Sequence, residues 1–406
     1  MIERPLYLKK IEPYIDQPLV KILVGIRRGG KSTVLEQVKE LIVKRGVPTE
    51  KVVHINFEQY SYLNVRTQAE FMRLIDGILA GDGRHYLLFD EIQNIENWEI
   101  FINGLLAEKD VDIYLTGSNS KLLSSELSTL LTGRYINIRV LPLNFSEYLA
   151  FERAKGRAVS SLDAGFATYM QRGGFPLVHI ADYTIEQSDG IVKDIYNSIL
   201  FQDLVERKGI RNTELLSRVV KYIFDNIGNN FSGKSIIDYL KSEQRTLKPE
   251  TVYNYLDWLE EVYVISRAHR YDLRGKAILK SNEKIFLGDI GLLFAINGRH
   301  ASMQPGILEN IVYNELISYG YTVYVGKNNE QEIDFVAEKN GEKLYLQVAL
   351  TMTEPKTIER EFGAFAGISD NYPKYVLTLD RDWGENQDGI KKVYLPEFLT
   401  EILPKG

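Results

Sequence analysis

A chain of 406 residues exceeds what one hydrophobic core usually supports, and it predicts two or three domains; 44% hydrophobic and 26% charged residues are ordinary for a folded soluble protein. The five histidines, at 54, 85, 179, 269 and 300, include no pair at zinc-ligand spacing, and the lack of cysteine excludes disulfides and thiolate metal sites. No apolar run approaches the ~18 residues of a membrane span, MIERPLYLKKIEPY lacks a secretory apolar core, and a net charge of −6 excludes an overall basic footprint, so the expected setting is a reducing cytoplasm without a membrane partner.

The run LVKILV (19–24) reads as a buried strand. GIRRGGKS (25–32) follows at once. STVLEQVKELIVKRG then places Val34, Leu35, Val38, Leu41 and Ile42 on one helical face, with Gly46 where a helix stops. Strand, glycine-rich loop and helix form the context that a phosphate cradle requires. Gly25, Gly29 and Gly30 permit a tight loop whose N–H groups turn inward, and the new helix aims its positive end at the same spot. Lys31 is placed to reach the outer phosphates of a nucleoside triphosphate, Ser32 to ligate Mg2+, and Thr33 to complete the cradle. Arg27 and Arg28 read equally as phosphate contacts or as solvated side chains.

VVHINFE (52–58) reads as a strand, and TQAEFMRLIDGILAG (67–81) as a helix opened by a capping box of Thr67 with Glu70. HYLLFDEIQ (85–93) is a buried strand ending in acid. Asp90 is expected to hold Mg2+ through water, and Glu91 to orient and deprotonate the attacking water; the bland alternative is a charged turn. DIYLTGSNS (112–120) is a strand ending in small polar groups, of which Ser118 or Asn119 would touch the γ-phosphate or the water, or simply form a turn. Arg134, in LLTGRY (130–135), reads as an arginine finger acting within the subunit or across an interface, or as a helix-end arginine complementing the dipole. INIRVLPL (136–143) is a fifth strand. Strands alternating with helices imply a parallel sheet covered on both faces, with nucleotide at the carboxyl ends of its strands.

Residues 145–210 read as helices, with GGFP (173–176) as a turn, forming a lid or connector. Three amphipathic helices follow, over 212–228, 232–243 and 248–262, and then the strand-like YVISRAHRYDL and KIFLGDI. Three short helices and a β-ribbon describe a winged helix. Its third helix offers Thr251, Tyr253 and Asn254, and its ribbon Arg267, Arg270, Arg274, Lys276 and Lys280 as candidate DNA contacts. Residues 211–284 hold 13 Lys/Arg against 10 Asp/Glu, a local +3 that leaves −9 for the rest. Against DNA stand Glu250, Asp257, Glu260 and Glu261 on the third helix, and winged helices serve protein partners equally.

The chain resembles the prokaryotic AAA-type ATPases that carry a C-terminal domain of unknown function. The matching pieces are GIRRGGKS, YLLFDEIQNIENWE, YLTGSNSKLLSSEL, LTGRY, LPLNFSEYL, YMQRGGFP and the C-terminal stretch, and they span nearly the whole chain. LTGRY followed by LPLNFSEYL and GGFP is the most specific part; the phosphate loop alone is generic. The resemblance implies ATP binding and hydrolysis. Residues 305–350 further resemble a restriction-endonuclease core, in which Glu309 and Asp334 match the first two acids. Gln347 stands at the third acid and Ala349 at the lysine, so the core reads as inactive and kept for binding or assembly.

The expected architecture is α/β: an AAA-type P-loop core over 1–155, a helical lid over 156–210, a winged helix over 211–300 and a restriction-endonuclease-like domain over 301–406. The expected function is Mg2+-dependent ATP hydrolysis that repositions the C-terminal half on DNA or on a protein partner. Rival readings are a kinase, a nucleotide-gated scaffold assembling as a ring or dimer, and an ATP-driven nuclease.

Overall fold

A computed structural model describes residues 2–79, 83–117, 131, 133–157, 159–242, 248–275, 277–299, 304–329, 331–381 and 386–405. The chain divides into two compact units, Met1–Leu141 and Pro142–Gly406.

In the first unit, β1 (Val20–Val24), β2 (Val52–Asn56), β3 (His85–Asp90), β4 (Val111–Gly117) and β5 (Tyr135–Arg139) form a sheet in the order β2-β3-β4-β1-β5, every pair parallel. β4 therefore lies between the strand that feeds the glycine loop and the strand that ends in Asp90. All of β1 is buried, as a central parallel strand must be. Its one charge, Lys21, is ion-paired with Asp112 on β4, which also accepts from the Tyr114 hydroxyl and the Asp16 N–H, each at 2.9 Å.

The helices of this unit are α1 (Pro5–Ile11), α2 (Lys31–Lys44), α3 (Gln68–Ile78) and α4 (Trp98–Glu108). Val34, Leu35, Val38 and Ile42 of α2 recur at helical spacing and pack with Tyr7, Ile11, Leu23, Leu88 and Val140. Each such fully buried side chain contributes about 1.5–3 kcal/mol. Elsewhere Phe71 of α3 meets Phe57, Phe89 and Phe101 with ring centroids 5.5, 5.3 and 4.4 Å away. α3 opens with the expected capping box: Thr67 N–H donates to Glu70 Oε2 at 2.9 Å and Glu70 N–H to Thr67 Oγ1 at 3.4 Å.

The second unit begins with α5 (Phe145–Ala154), α6 (Leu162–Arg172) and α7 (Ile185–Ser198). The compact division thus falls at Leu141–Pro142 and not at 155. The reason is local: Phe145 N–H donates to Glu315, and Asn144 Nδ2 to Ser318 Oγ at 3.3 Å, which ties α5 to the C-terminal unit. GGFP is a turn with a steric requirement. Gly173 has φ +74°, and a Cβ there would lie 2.1 Å from Asp289 Oδ1.

Then come α8 (Thr213–Asp225), β6 (Asn230–Phe231), α9 (Gly233–Ser242) and α10 (Pro249–Glu261), and the hairpin β7 (Ile265–Asp272) and β8 (Ala277–Leu287). After α11 (Gly291–Asn297) and α12 (Gln304–Ser318) follow β9 (Thr322–Asn328), β10 (Gln331–Lys339), β11 (Glu342–Ala349), α13 (Pro355–Gly363), β12 (Lys374–Thr378) and β13 (Lys391–Tyr394). These strands build a single sheet in the order β13-β12-β11-β10-β9-β7-β8-β6. The segments expected as two domains, 211–300 and 301–406, are therefore joined by one ladder, because β7 pairs in parallel with β9 from Arg270↔Val325 to Asp272↔Lys327. Among the described residues no helix is long and apolar enough to cross a membrane.

Candidate functional site

β1 ends at Val24 and the chain turns at once. Gly25 has φ +145°, and a Cβ there would lie 2.0 Å from the Val140 carbonyl oxygen, so only glycine lets the loop pass the exit of β5. Gly29 N–H donates back to Ile26 O at 3.1 Å, Arg28 is left-handed at φ 63°, and Gly30, at φ 103°, is the N-cap of α2. This winding carries Lys31 back over the loop. Its ammonium lies 3.0 Å from Gly25 O and 3.1 Å from Ile26 O, with the residue 4% exposed. Ser32 and Thr33 are exposed in the first turn of α2, where backbone N–H groups lack intrahelical partners and the helix dipole is positive. A buried cation, a glycine turn and free helical N–H groups are the donor set that fits a polyphosphate.

At the end of β3, Asp90 is fully buried and its two oxygens are addressed from two strands. Asn56, ending β2, donates to Oδ2 at 2.9 Å, and the Thr116 hydroxyl of β4 donates to Oδ1. Thr116 Oγ1 also accepts the Glu91 N–H at 3.0 Å. Glu91 is left-handed, φ 56° and ψ 47°, a conformation that costs a non-glycine residue about 1–3 kcal/mol and that active sites tolerate. Burial pushes the Glu91 carboxyl up, the Lys31 ammonium pulls it down, and Asp90 adds to the rise. Lys31, Asp90 and Glu91 thus share one field. Asn56 and Thr116 were not expected. Their signal was a polar residue at the carboxyl end of a parallel strand, where such sheets bind ligands.

The remaining cradle candidates separate. Ser118 and Asn119 lie outside the described residues. Arg27 sits 3.4 Å from Glu58. Arg134 donates to Asn103 Oδ1 at 2.5 Å, and its carbonyl accepts the Val20 N–H at 2.9 Å. Val20 starts β1 and the loop follows its end, so four residues of strand, about 13 Å, separate Arg134 from its own cradle. The structure does not bring it to Lys31.

In the C-terminal unit, Glu309 and Asp334 do come together, around a residue that the sequence reading placed only in a strand. Lys284 of β8, 3% exposed, sends its ammonium to Glu309 Oε2 (2.8 Å), Glu332 Oε1 (2.9 Å) and Asp334 Oδ1 (3.3 Å). Burial works to lower the Lys284 pKa, but Asp334, Glu309 and Glu332 outweigh it and hold it raised. Burial and Asp334 in turn push Glu309 up, against the pull of Lys284. Gln347 Oε1 accepts the Asp334 N–H at 2.6 Å, and Gln347 Nε2 donates to the buried Glu361 at 2.7 Å. Among the described residues no three His, Asp or Glu side chains are placed to hold a metal ion.

The basic ribbon is partly neutralised. Arg267 Nε donates to Glu260 Oε2 at 2.7 Å, and Nη2 lies 2.8 Å from Asp257 Oδ1, both on α10. Arg270 lies 3.5 Å from Glu332. Arg274 is exposed, while Lys276 and the side chain of Lys280 lie outside the described residues. α10 exposes Tyr253 and Asn254, with Thr251 half-buried, but it exposes Glu250 and Asp257 beside them.

With this geometry in place, comparison with known proteins gives the following. A family profile described as an AAA domain matches residues 17–149, and one described as a domain of unknown function (DUF8612) matches 163–302. An uncharacterized protein of Haemophilus influenzae is 36% identical over 402 residues, covering 99% of both chains. The uncharacterized protein MJ1544 of Methanocaldococcus jannaschii is 30% identical over 402 residues, covering 95% of this chain and 87% of its own. Among solved structures, the Aeropyrum pernix ORC1 protein in complex with DNA aligns at a TM-score of 0.34 and 13% identity, over 73% of this chain and 92% of that one. A likeness that loose carries no argument about this chain.

Proposed function

The chain belongs to a prokaryotic family of AAA-type P-loop proteins with a C-terminal domain of unknown function, and on that premise we propose that it hydrolyses ATP as a nucleotide-driven switch. The observation that carries this is the shared field of Lys31, Asp90 and Glu91, with Asp90 braced from β2 and β4. Lys31 and the first turn of α2 bind the phosphates. Glu91 takes a proton from the attacking water as the water oxygen bonds to the γ-phosphorus and the bond to ADP breaks. A carboxyl raised toward neutrality is a better base at physiological pH than an ordinary one. Ser32 and Asp90 are the residues that would hold Mg2+, which when bound neutralises charge on the phosphates. Arg134 stands away from its own cradle, so as a finger it would serve the nucleotide of a neighbouring subunit.

For the output of the switch we favour a protein partner over DNA. Two of the five ribbon cations, Arg267 and Arg270, are already bound to carboxylates, and the outward side of α10 carries Glu250 and Asp257. The three helices α8, α9 and α10 with the β7–β8 hairpin follow the order of a winged helix, and such modules serve protein partners as well as nucleic acid. The Glu309, Asp334 and Gln347 positions then act as structure, with Lys284 as the counter-ion of the two acids. Phosphate release measured with and without duplex DNA at two salt concentrations tests the choice. A rate indifferent to DNA agrees with a protein partner. Stimulation by DNA that fades with salt would return the basic ribbon to the role of phosphate contact.

A further inference from the structure

Arg4 is a buried arginine that the sequence reading passed over and that the reaction above does not use. It is 3% exposed. Its backbone N–H donates to Gln37 Oε1 on α2 at 2.9 Å, and its guanidinium carbon lies 4.5 Å from the Tyr7 ring centroid. Two of its side-chain donors end on backbone carbonyls: Nη1 on Gly29 O and Nη2 on Leu141 O, each at 2.9 Å. The Tyr7 hydroxyl accepts the Leu141 N–H at 3.0 Å, so Arg4 and Tyr7 together hold both polar groups of Leu141. The segment they grip is already fixed to β1, since Val140 N–H donates to Val24 O at 2.7 Å. One nitrogen of the fork therefore holds a fixed strand exit. The other holds the phosphate loop.

The contact on Gly29 has a consequence one atom further along. A trans peptide is planar, and its C=O and the following N–H point to opposite sides. A charged donor fixed on Gly29 O thus also fixes the direction of the Gly30 N–H, away from Arg4. Gly29 and Gly30 have no side chains to hold this peptide themselves, and glycine loses the most freedom on being ordered. Charge-assisted bonds are about twice as strong as neutral ones. A guanidinium spans two carbonyls with two nitrogens at fixed spacing, which a lysine ammonium does not do.

We propose that Arg4 is a positioning residue of the nucleotide site, which holds the Gly29–Gly30 peptide against the segment after β5 and so presets the Gly30 N–H for a diphosphate. This rests on the reading of residues 25–32 as a nucleotide cradle. Because ADP and ATP both carry a diphosphate, Arg4 affects their binding alike and leaves the hydrolytic step alone.

The test is equilibrium binding of ADP and of ATP to the full chain, with phosphate release at saturating ATP and thermal unfolding without nucleotide. The chains compared are wild type, Arg4→Lys, Arg4→Gln and Tyr7→Phe. Arg4→Lys and Arg4→Gln are expected to weaken both nucleotides by a common factor of about tenfold or more, as loss of a charged hydrogen bond implies, while kcat stays within about threefold. Tyr7→Phe gives up a hold on Leu141 but keeps the Gly29 contact, so it is expected to lose stability and retain both affinities. The proposal is overturned if the Arg4 variants bind both nucleotides as wild type does, or if Tyr7→Phe weakens binding in step with them. A wild-type chain that binds neither nucleotide overturns the cradle reading and this proposal with it. A binding wild type with unaffected Arg4 variants overturns the role of Arg4 alone.

Discussion

Asn56 donates a hydrogen bond to Asp90 Oδ2 at 2.9 Å, joining the end of β2 to the end of β3 beside the phosphate loop. A hydrogen bond to a charged group is worth about 1.5–3 kcal/mol. Asn56→Ala is therefore expected to lower kcat for ATP by roughly ten- to a hundredfold, with KM within about threefold. Thr116→Val, which frees the other Asp90 oxygen and the Glu91 N–H, is expected to do at least as much. Steady-state kinetics check both; an unchanged kcat in either would remove that residue from the site.

Gly25 admits no side chain, since a Cβ would meet the Val140 carbonyl at 2.0 Å on a φ of +145°. Gly25→Ala is expected to abolish nucleotide binding and to cost stability on the order of a few kcal/mol. Calorimetric titration with ATP and a denaturant melt would show it. A variant that binds like wild type contradicts the tight passage of the loop under the β5 exit.

Lys284 is shared as a counter-ion by Glu309, Glu332 and Asp334. Lys284→Met leaves these carboxylates facing each other in a poorly hydrated site, at an expected cost of about 3–5 kcal/mol at pH 8. Urea melts of the two chains check it, and a Lys284→Met chain as stable as wild type would remove Lys284 as the counter-ion of these acids.

Glu315 is wholly buried on α12. Burial pushes its carboxyl up to about 8, the Phe145 N–H pulls the other way, and Glu147 adds to the rise. Unfolded, it titrates near ~4.3. The folded protein keeps a proton that the unfolded chain releases, so this contribution is full below about pH 4 and is lost as pH rises through about 8. Asp289, which burial raises to about 7 against hydrogen bonds from the Gly174 and Gly291 N–H groups, has the same sign. His179 has the opposite sign: burial holds it down to about 4, so its contribution is lost as pH falls from about 6.5 to 4. Glu315→Gln should become more stable than wild type as pH rises from 6 to 9, by an order of a few kcal/mol. Parallel Tm–pH curves for the two chains would rule out a protonated Glu315.

What the sequence disclosed follows from how local each signal is. β1, the glycine loop and α2 were legible because one continuous stretch carries the apolar run, the turn chemistry and the helical period. Asp90 and Glu91 were legible because the acids follow their buried strand directly. Asn56, Thr116 and Arg4 were not, because each acts through parallel register or a contact dozens of residues away: Arg4 with Leu141, Asn56 with Asp90. The parallel pairing of β7 with β9 is likewise nonlocal, and without it the chain reads as two domains where one sheet runs through. Lys284 looked like the start of a strand, and only the fold shows that three carboxylates converge on it. The compact division lies before α5 and not at 155, because the bonds of Asn144 and Phe145 to α12 hold that helix in the second unit.

The most direct test of the central claim is phosphate release from ATP with Mg2+, measured beside ATP binding for wild type, Lys31→Ala and Glu91→Gln. The account expects turnover in wild type, weakened binding and no turnover in Lys31→Ala, and binding retained with turnover reduced by about a hundredfold or more in Glu91→Gln. A Glu91→Gln chain that releases phosphate at the wild-type rate, or a wild type that releases none, would contradict it.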